Sequence, residues 1–182
     1  LLSIIAGTLH ADSGEIEVLG QRLDKMKSNA VAKFRAKHLG FIFQQFNLIP
    51  TLTAAENVSV PLVIQGYPYH YAEKKACEAL EWVDLADHAK FRPAKMSGGQ
   101  MQRVAIARAL VHDPRVILCD EPTSSLDSEN GKQVMELLRK AAGQQDRLVL
   151  VVTHDNRTYG FADRMAEMED GRILRVLETQ EE

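Results

Sequence analysis

The segment Val116-Ile117-Leu118-Cys119-Asp120-Glu121 constrains this chain most, because an apolar run short enough to be one strand ends in two adjacent carboxylates. Around it the hydrophobic pattern alternates between strand-like and helix-like stretches. A turn at Ser97-Gly98-Gly99 opens a helical segment to about Val111, with Val104, Ala107, Leu110 and Val111 along one side. Residues 128–142 read as a further helix and residues 148–152 as a further apolar strand. Strands separated by helical patterns of this length build a parallel sheet with crossover helices, so the fold class is α/β.

The remaining segments extend that scheme. Residues 1–9 read as the tail of a buried helix and residues 15–19 as a strand, joined by the turn Asp12-Ser13-Gly14. A second strand over 39–43 follows a charged helical stretch. Residues 53–84 read as helical, broken at Gly66-Tyr67-Pro68, with Leu80, Val83 and Leu85 toward the core. Residues 164–168 and 172–176 form a hairpin around Asp170-Gly171, and the tail 178–182 is expected to fray. At 182 residues and 45% hydrophobic, the chain suffices for one compact domain and not for two independent ones.

Composition narrows the partners. The net charge is −3 and Lys and Arg are scattered, which offers no field for a nucleic-acid backbone. No stretch approaches the roughly 18 to 20 apolar residues that would span a bilayer. The two cysteines, Cys77 and Cys119, lack metal-ligand spacing and read as reduced core residues, in keeping with a cytoplasmic protein.

Ligands of open α/β sheets bind at the carboxyl ends of strands, where Asp120 and Glu121 lie. Adjacent carboxylates there can divide the work, Asp120 holding Mg²⁺ through water and Glu121 reaching a water aimed at a γ-phosphate. Taken alone, the pair fits a solvated turn before Pro122 better. Upstream, Ser97-Gly98-Gly99-Gln100 opens a helix whose N-terminal N–H groups and glycine backbone suit an anion, although a Gly-Gly pair alone is a common turn. The two features together carry more weight than either.

Met96-Ser97-Gly98-Gly99-Gln100 with Gln102-Arg103 closely resembles the signature sequence of ABC ATPases. Further motifs follow in that family's order: Gln44 after Phe41-Ile42-Phe43, Ser125-Leu126-Asp127 after Glu121-Pro122-Thr123, and Thr153-His154-Asp155. The resemblance covers essentially the whole chain. It implies a RecA-like P-loop NTPase core with a helical subdomain and a small antiparallel part, divided as core over 1–45, helical subdomain over 46–112 and core again over 113–182. It implies ATP and Mg²⁺ as cofactors, with Glu121 as general base, Asp120 and Gln44 toward the metal, Gln44 toward the attacking water and His154 on the γ-phosphate. Ser97, Gly98, Gly99 and Gln100 would cap a nucleotide held by a second copy in a head-to-tail dimer, with Asp127 on the seam.

The run from Phe43 to Pro50, with Glu56-Asn57-Val58, resembles the lipoprotein-release and macrolide-export branch, and residues near the end resemble its glycolipid-export members. That branch implies export, a permease docking near Gln44, Phe46 and Leu48 on an exposed apolar set completed by Ile49, a place for a periplasmic adaptor, and peripheral attachment at the cytoplasmic face of the inner membrane. A hydrophobic lid over the core is the other reading of that apolar set. A non-transport ABC ATPase acting on DNA or ribosomes is the alternative function, and a regulatory module that never had a phosphate loop is a third.

The sequence departs from the family mildly at Met96, Cys119 and Ser125, whose volumes leave the implied roles intact, and strongly in one respect. No G-x-x-x-x-G-K-[ST] loop occurs, and the Gly131-Lys132 pair is followed by Gln133 within a predicted helix. The family's loop is followed by Leu-Leu, as at Leu1-Leu2. The expectation is a fragment cut behind the loop, incomplete in its core sheet, poorly stable and inactive in isolation.

Overall fold

The computed structural model describes residues 1–144 and 146–178. The chain opens with α1 (Leu2–Ile5), followed by β1 (Glu17–Val18) paired antiparallel with β2 (Gln21–Arg22), and then α2 (Ser28–His38). The helix expected over 1–9 is one turn long, because Gly7 adopts φ +64 and ends it. The first strand is likewise shorter than the pattern suggests.

β3 (Leu39–Ile42) leads into α3 (Ala54–Ile64), α4 (Tyr69–Trp82) and α5 (Gly98–Leu110). β4 (Val116–Asp120), α6 (Ser128–Ala142) and β5 (Leu148–Val152) follow. The three strands form one parallel sheet in the order β3-β4-β5, with Ile42 opposite Cys119 and Asp120 opposite Val152. The expected α/β class is thereby met.

Three of the helices start where the sequence supplies a cap. Thr53 and Glu56 form a capping box on α3, Ser97 and Gln100 form another on α5, and Asp127 accepts the Asn130 N–H at the start of α6. The break between α3 and α4 falls at Gly66, whose φ is +87, with Pro68 preceding the first residue of α4.

Two apolar clusters sandwich β4. Ile117 and Cys119 face the larger one, with Ile42, Val58, Leu80, Leu85, Val104 and Ile106, whereas Val116 and Leu118 face Leu2, Leu23, Phe34 and Leu39. Full burial of each large aliphatic side chain contributes roughly 1.5–3 kcal/mol. α5 lies so close to β3 that a Cβ on Gly40 would strike the Ala109 carbonyl. The expected core residues Leu80, Val83 and Leu85 are all buried.

Cys119 is buried as expected, but Cys77 is exposed, because it lies off the Ala72-Ala76-Leu80 stripe that α4 buries. β5 has β4 on one side and no second neighbour among the described residues, so Leu148 is left 57% exposed despite its apolar run. β6 (Arg164–Glu169) and β7 (Arg172–Glu178) form the expected hairpin, with a register shift at Glu167/Met168. Of the tail 178–182 expected to fray, Glu178 is the last residue of β7, paired with Arg164, and residues 179–182 lie outside the described residues. Among the described residues no helix is long and apolar enough to cross a membrane.

Candidate active site

Glu121 follows directly on β4 and adopts φ +49, a left-handed conformation that costs a non-glycine residue about 1–2 kcal/mol. Its backbone is fixed by the neighbouring strand, since its N–H donates to the Val152 carbonyl at 2.9 Å. The side chain turns to the same strand end. Oε1 accepts the His154 backbone N–H at 3.1 Å and lies 2.6 Å from His154 Nδ1, while Oε2 accepts the Thr153 hydroxyl at 3.3 Å. A proton on Nδ1 makes that short contact a hydrogen bond and leaves Nε2 pointing elsewhere.

This constellation sits in a cleft of about 340 Å³ lined by Glu121, Ser124, His154, Asp155, Asn156 and Arg157. The Glu121 side chain is 16% exposed and that of His154 82% exposed, so the imidazole fronts solvent and the carboxylate lies behind it. The Ser124 hydroxyl donates to the Glu121 carbonyl at 3.0 Å.

A second carboxylate braces the floor. Asp155 receives the Arg157 guanidinium on both oxygens, from Nε at 2.9 Å and Nη2 at 2.7 Å, and the Thr123 hydroxyl at 3.3 Å. The Arg157 hydrogen bonds hold the Asp155 pKa down to about 2. The Asp155 N–H in turn donates to Thr153 Oγ1 at 3.0 Å, which orients the hydroxyl that Glu121 uses.

Asp120 ends β4, and Gln44 lies two residues beyond Ile42 on the adjacent strand, at the same edge of the sheet. Together they offer one carboxylate and one amide oxygen. Among the described residues no three His, Cys, Asp or Glu side chains gather as a metal-holding group. This donor set fits Mg²⁺, which takes one or two hard protein oxygens and completes its shell with phosphate and water.

None of the signature residues Ser97 to Gln100 lines the cleft. Ser97 Oγ accepts the Gln100 N–H at 3.3 Å, and Gln100 Oε1 accepts the Ser97 N–H at 2.9 Å. The Gln100 amide nitrogen lies 3.1 Å from His88 Nε2. Gly99 abuts Asn130 with no room for a side chain, and Asn130 is held by Asp127 at 2.6 Å. Asp127 is thus tied to the signature through one residue.

The apolar set beyond Gln44 is less exposed than its sequence suggests. Ile49 is 42% exposed, but Phe46 and Leu48 are half-buried, Leu48 against the main core. Three polar residues to which the motifs assign no role organise the surroundings. Buried Asn57 accepts the Ile49 N–H at 2.7 Å and donates to the Ile49, Leu52 and Thr53 carbonyls. Arg108 donates to the Asn47 and Phe46 carbonyls, and buried Gln102 donates to the Pro122 carbonyl at 2.8 Å. Gln102 and Arg108 are polar residues within a helix rich in Ala, Val and Ile, and that interruption is the signal that marks them.

A family model described as "ABC transporter" matches residues 1–124. The lipoprotein-releasing system ATP-binding protein LolD of Bacteroides fragilis is 41% identical over 171 residues, covering 93% of this chain and 79% of that protein. The chain belongs to the ABC transporter family. It is an ATP-binding and ATP-hydrolysing part of such a transporter, with the RecA-like core of the ABC cassette. The macrolide export ATP-binding/permease protein MacB of Brucella melitensis is 44% identical over 171 residues, 93% of this chain but 26% of that longer protein. Among solved structures, a dimeric ATP-binding cassette, MJ0796, in a post-hydrolysis state bound to ADP and Pi superposes with a TM-score of 0.88. It is 38% identical over 99% of this chain and 79% of that one. The alternative of a DNA- or ribosome-directed ATPase finds no support in these relatives.

Proposed function

We propose that the chain is a transporter motor in which two copies close head to tail over shared MgATP, and in which Glu121 activates the water that attacks the γ-phosphate. The observation that carries this reading is the Glu121 carboxylate, held at the end of β4 by Thr153 and His154 at the end of β5. A base so held needs no reorientation when a water enters.

The roles divide by position. Asp120 and Gln44 would hold Mg²⁺, which supplies charge neutralisation to the phosphates when bound. His154, on the solvent side of Glu121, would donate to the γ-phosphate from Nε2 when both ring nitrogens carry protons. The Ser97-Gly98-Gly99-Gln100 end of α5 would face the partner copy's nucleotide with free N–H groups of a helix N-terminus, with Asp127 beside it on the seam. The dimeric state of the MJ0796 cassette supports a shared arrangement.

Names of relatives that release lipoproteins or export macrolides support export. The motor would act through separate membrane-spanning subunits from the cytoplasmic face of the inner membrane. The segment of Gln44, Phe46 and Leu48, with Ile49 outermost, would receive the permease, and a periplasmic adaptor would complete the assembly.

The test compares the native protein with Glu121→Gln, by light scattering after size exclusion with and without MgATP and by phosphate release. The expected result is an ATP-dependent dimer of the variant with hydrolysis lost. A native protein that neither dimerises nor releases phosphate sinks the motor reading.

A further inference from the structure

α5 carries, besides its N-terminal end, two polar anchors that reach different loops. Gln102, fully buried, donates through Nε2 to the Pro122 carbonyl at 2.8 Å, one residue past Glu121. Its Oε1 is buried with no hydrogen-bond partner, so this single bond orients the whole amide. Arg108, two turns further along, donates from Nη1 to the Asn47 carbonyl at 2.5 Å and from Nη2 to the Phe46 carbonyl at 2.7 Å. Burial lowers the Arg108 pKa from its usual value, and it remains a cation.

Both loops are backbone-strained where they are held. Phe46 and Asn47 adopt φ +55 and +47, and Glu121 adopts +49. Left-handed non-glycine residues persist only where surrounding contacts overdetermine them. The Arg108 fork supplies that restraint at Phe46 and Asn47, and the Gln102 amide supplies it at Pro122, next to Glu121. Asn57 fastens the far end of the Phe46 segment to α3, so this loop travels with the helices, and Gln44 lies between it and β3.

We infer that Gln102 and Arg108 are positioning residues through which the signature helix sets the places of the Glu121 turn and the Gln44 loop. Contact at the Ser97 end of α5 then reaches both catalytic loops of the same chain by one rigid element. This rests on the motor reading above and adds to it a route from the partner copy's nucleotide to this copy's base.

The test uses Arg108→Lys, which keeps the charge but cannot fork onto two carbonyls, and Gln102→Met, which keeps the volume but loses the bond. In the native protein each variant should lower kcat at least tenfold, with KM for ATP within about twofold and melting within a few degrees. Arg108→Lys should also speed hydrogen exchange at the Phe46 and Asn47 amides. An unchanged kcat despite faster exchange overturns the inference, as does a loss of activity that tracks lower melting and raised KM, which marks a structural role alone. A wild-type protein without MgATPase activity defeats the motor reading instead, and the exchange measurement still reports whether the Arg108 clamp exists.

Discussion

His154 meets the Glu121 carboxylate twice through one oxygen: its backbone N–H donates to Oε1 at 3.1 Å, and its Nδ1 lies 2.6 Å from the same atom. The two residues are 33 positions apart and are neighbours because β4 and β5 are parallel partners in register to their last residues, Asp120 and Val152. The two side chains are thus brought against each other by sheet register.

The consequence for catalysis separates His154 from Thr153. His154→Ala removes the imidazole but leaves its backbone bond to Glu121, so the fold survives while the phosphate-facing donor is lost. Its kcat should fall about 100-fold, the order seen when one preorganised donor is removed. Thr153→Val removes one 3.3 Å bond of three to the carboxylate and should cost less than tenfold. Phosphate release by the two variants at saturating MgATP checks the order, and equal losses would contradict it.

Acid sensitivity follows from Asp155. Its carboxylate is held to about 2 from an ordinary 3.8, chiefly by the Arg157 hydrogen bonds. A depressed carboxylate contributes stability that is complete above its unfolded pKa and is lost as pH falls through the folded one. The wild type should therefore lose stability between about pH 4 and pH 2 from this source. Arg157→Leu should be less stable at pH 7 and show a flatter dependence through that window, as measured by urea unfolding at a series of pH values.

Far from the cleft, at the opposite ends of β4 and β5, Arg147 is buried with a side chain 5% exposed. It donates to the Pro114 and Ala141 carbonyls and pairs with Asp113 at 2.5 Å. Losing the charge-assisted hydrogen bonds of this buried side chain costs about 1.5–3 kcal/mol, since the Asp113 carboxylate is 60% exposed and keeps its contact with water. Arg147→Met should lower the unfolding free energy by roughly that amount while leaving kcat per folded molecule unchanged.

The sequence displayed the catalytic edge better than the framework around it. Val116 to Glu121, Ser97 to Gln100 and Thr153-His154 are contiguous motifs, and local spacing places them on strand ends and a helix start. The Glu121–His154 contact was less legible, because it depends on the pairing of β4 with β5 and not on spacing within either. Arg108 reaches across 61 and 62 residues to its carbonyl acceptors, and a bond to backbone oxygen leaves no trace in the acceptor's residue type. Cys77 was misplaced since a half-apolar helix such as α4 does not declare its phase from one residue.

Adjacent glycines of the signature should respond differently to alanine. At Gly98 an added Cβ would meet Leu126 at 3.7 Å and Phe46 at 3.9 Å, ordinary contacts, and alanine favours a helix by up to about 1 kcal/mol over glycine. At Gly99 the Cβ would collide with the Asn130 amide, which cannot swing aside without giving up its 2.6 Å bond to Asp127, the residue that caps α6. Overpacking of this kind costs about 1–3 kcal/mol, and loss of that side-chain bond adds about 1 kcal/mol. Gly98→Ala should keep or raise the melting temperature, and Gly99→Ala should lower it by several degrees. Asn130→Ala combined with Gly99→Ala removes the obstacle and should recover part of the loss. If the double variant melts no higher than Gly99→Ala alone, the collision is not what confines this position to glycine.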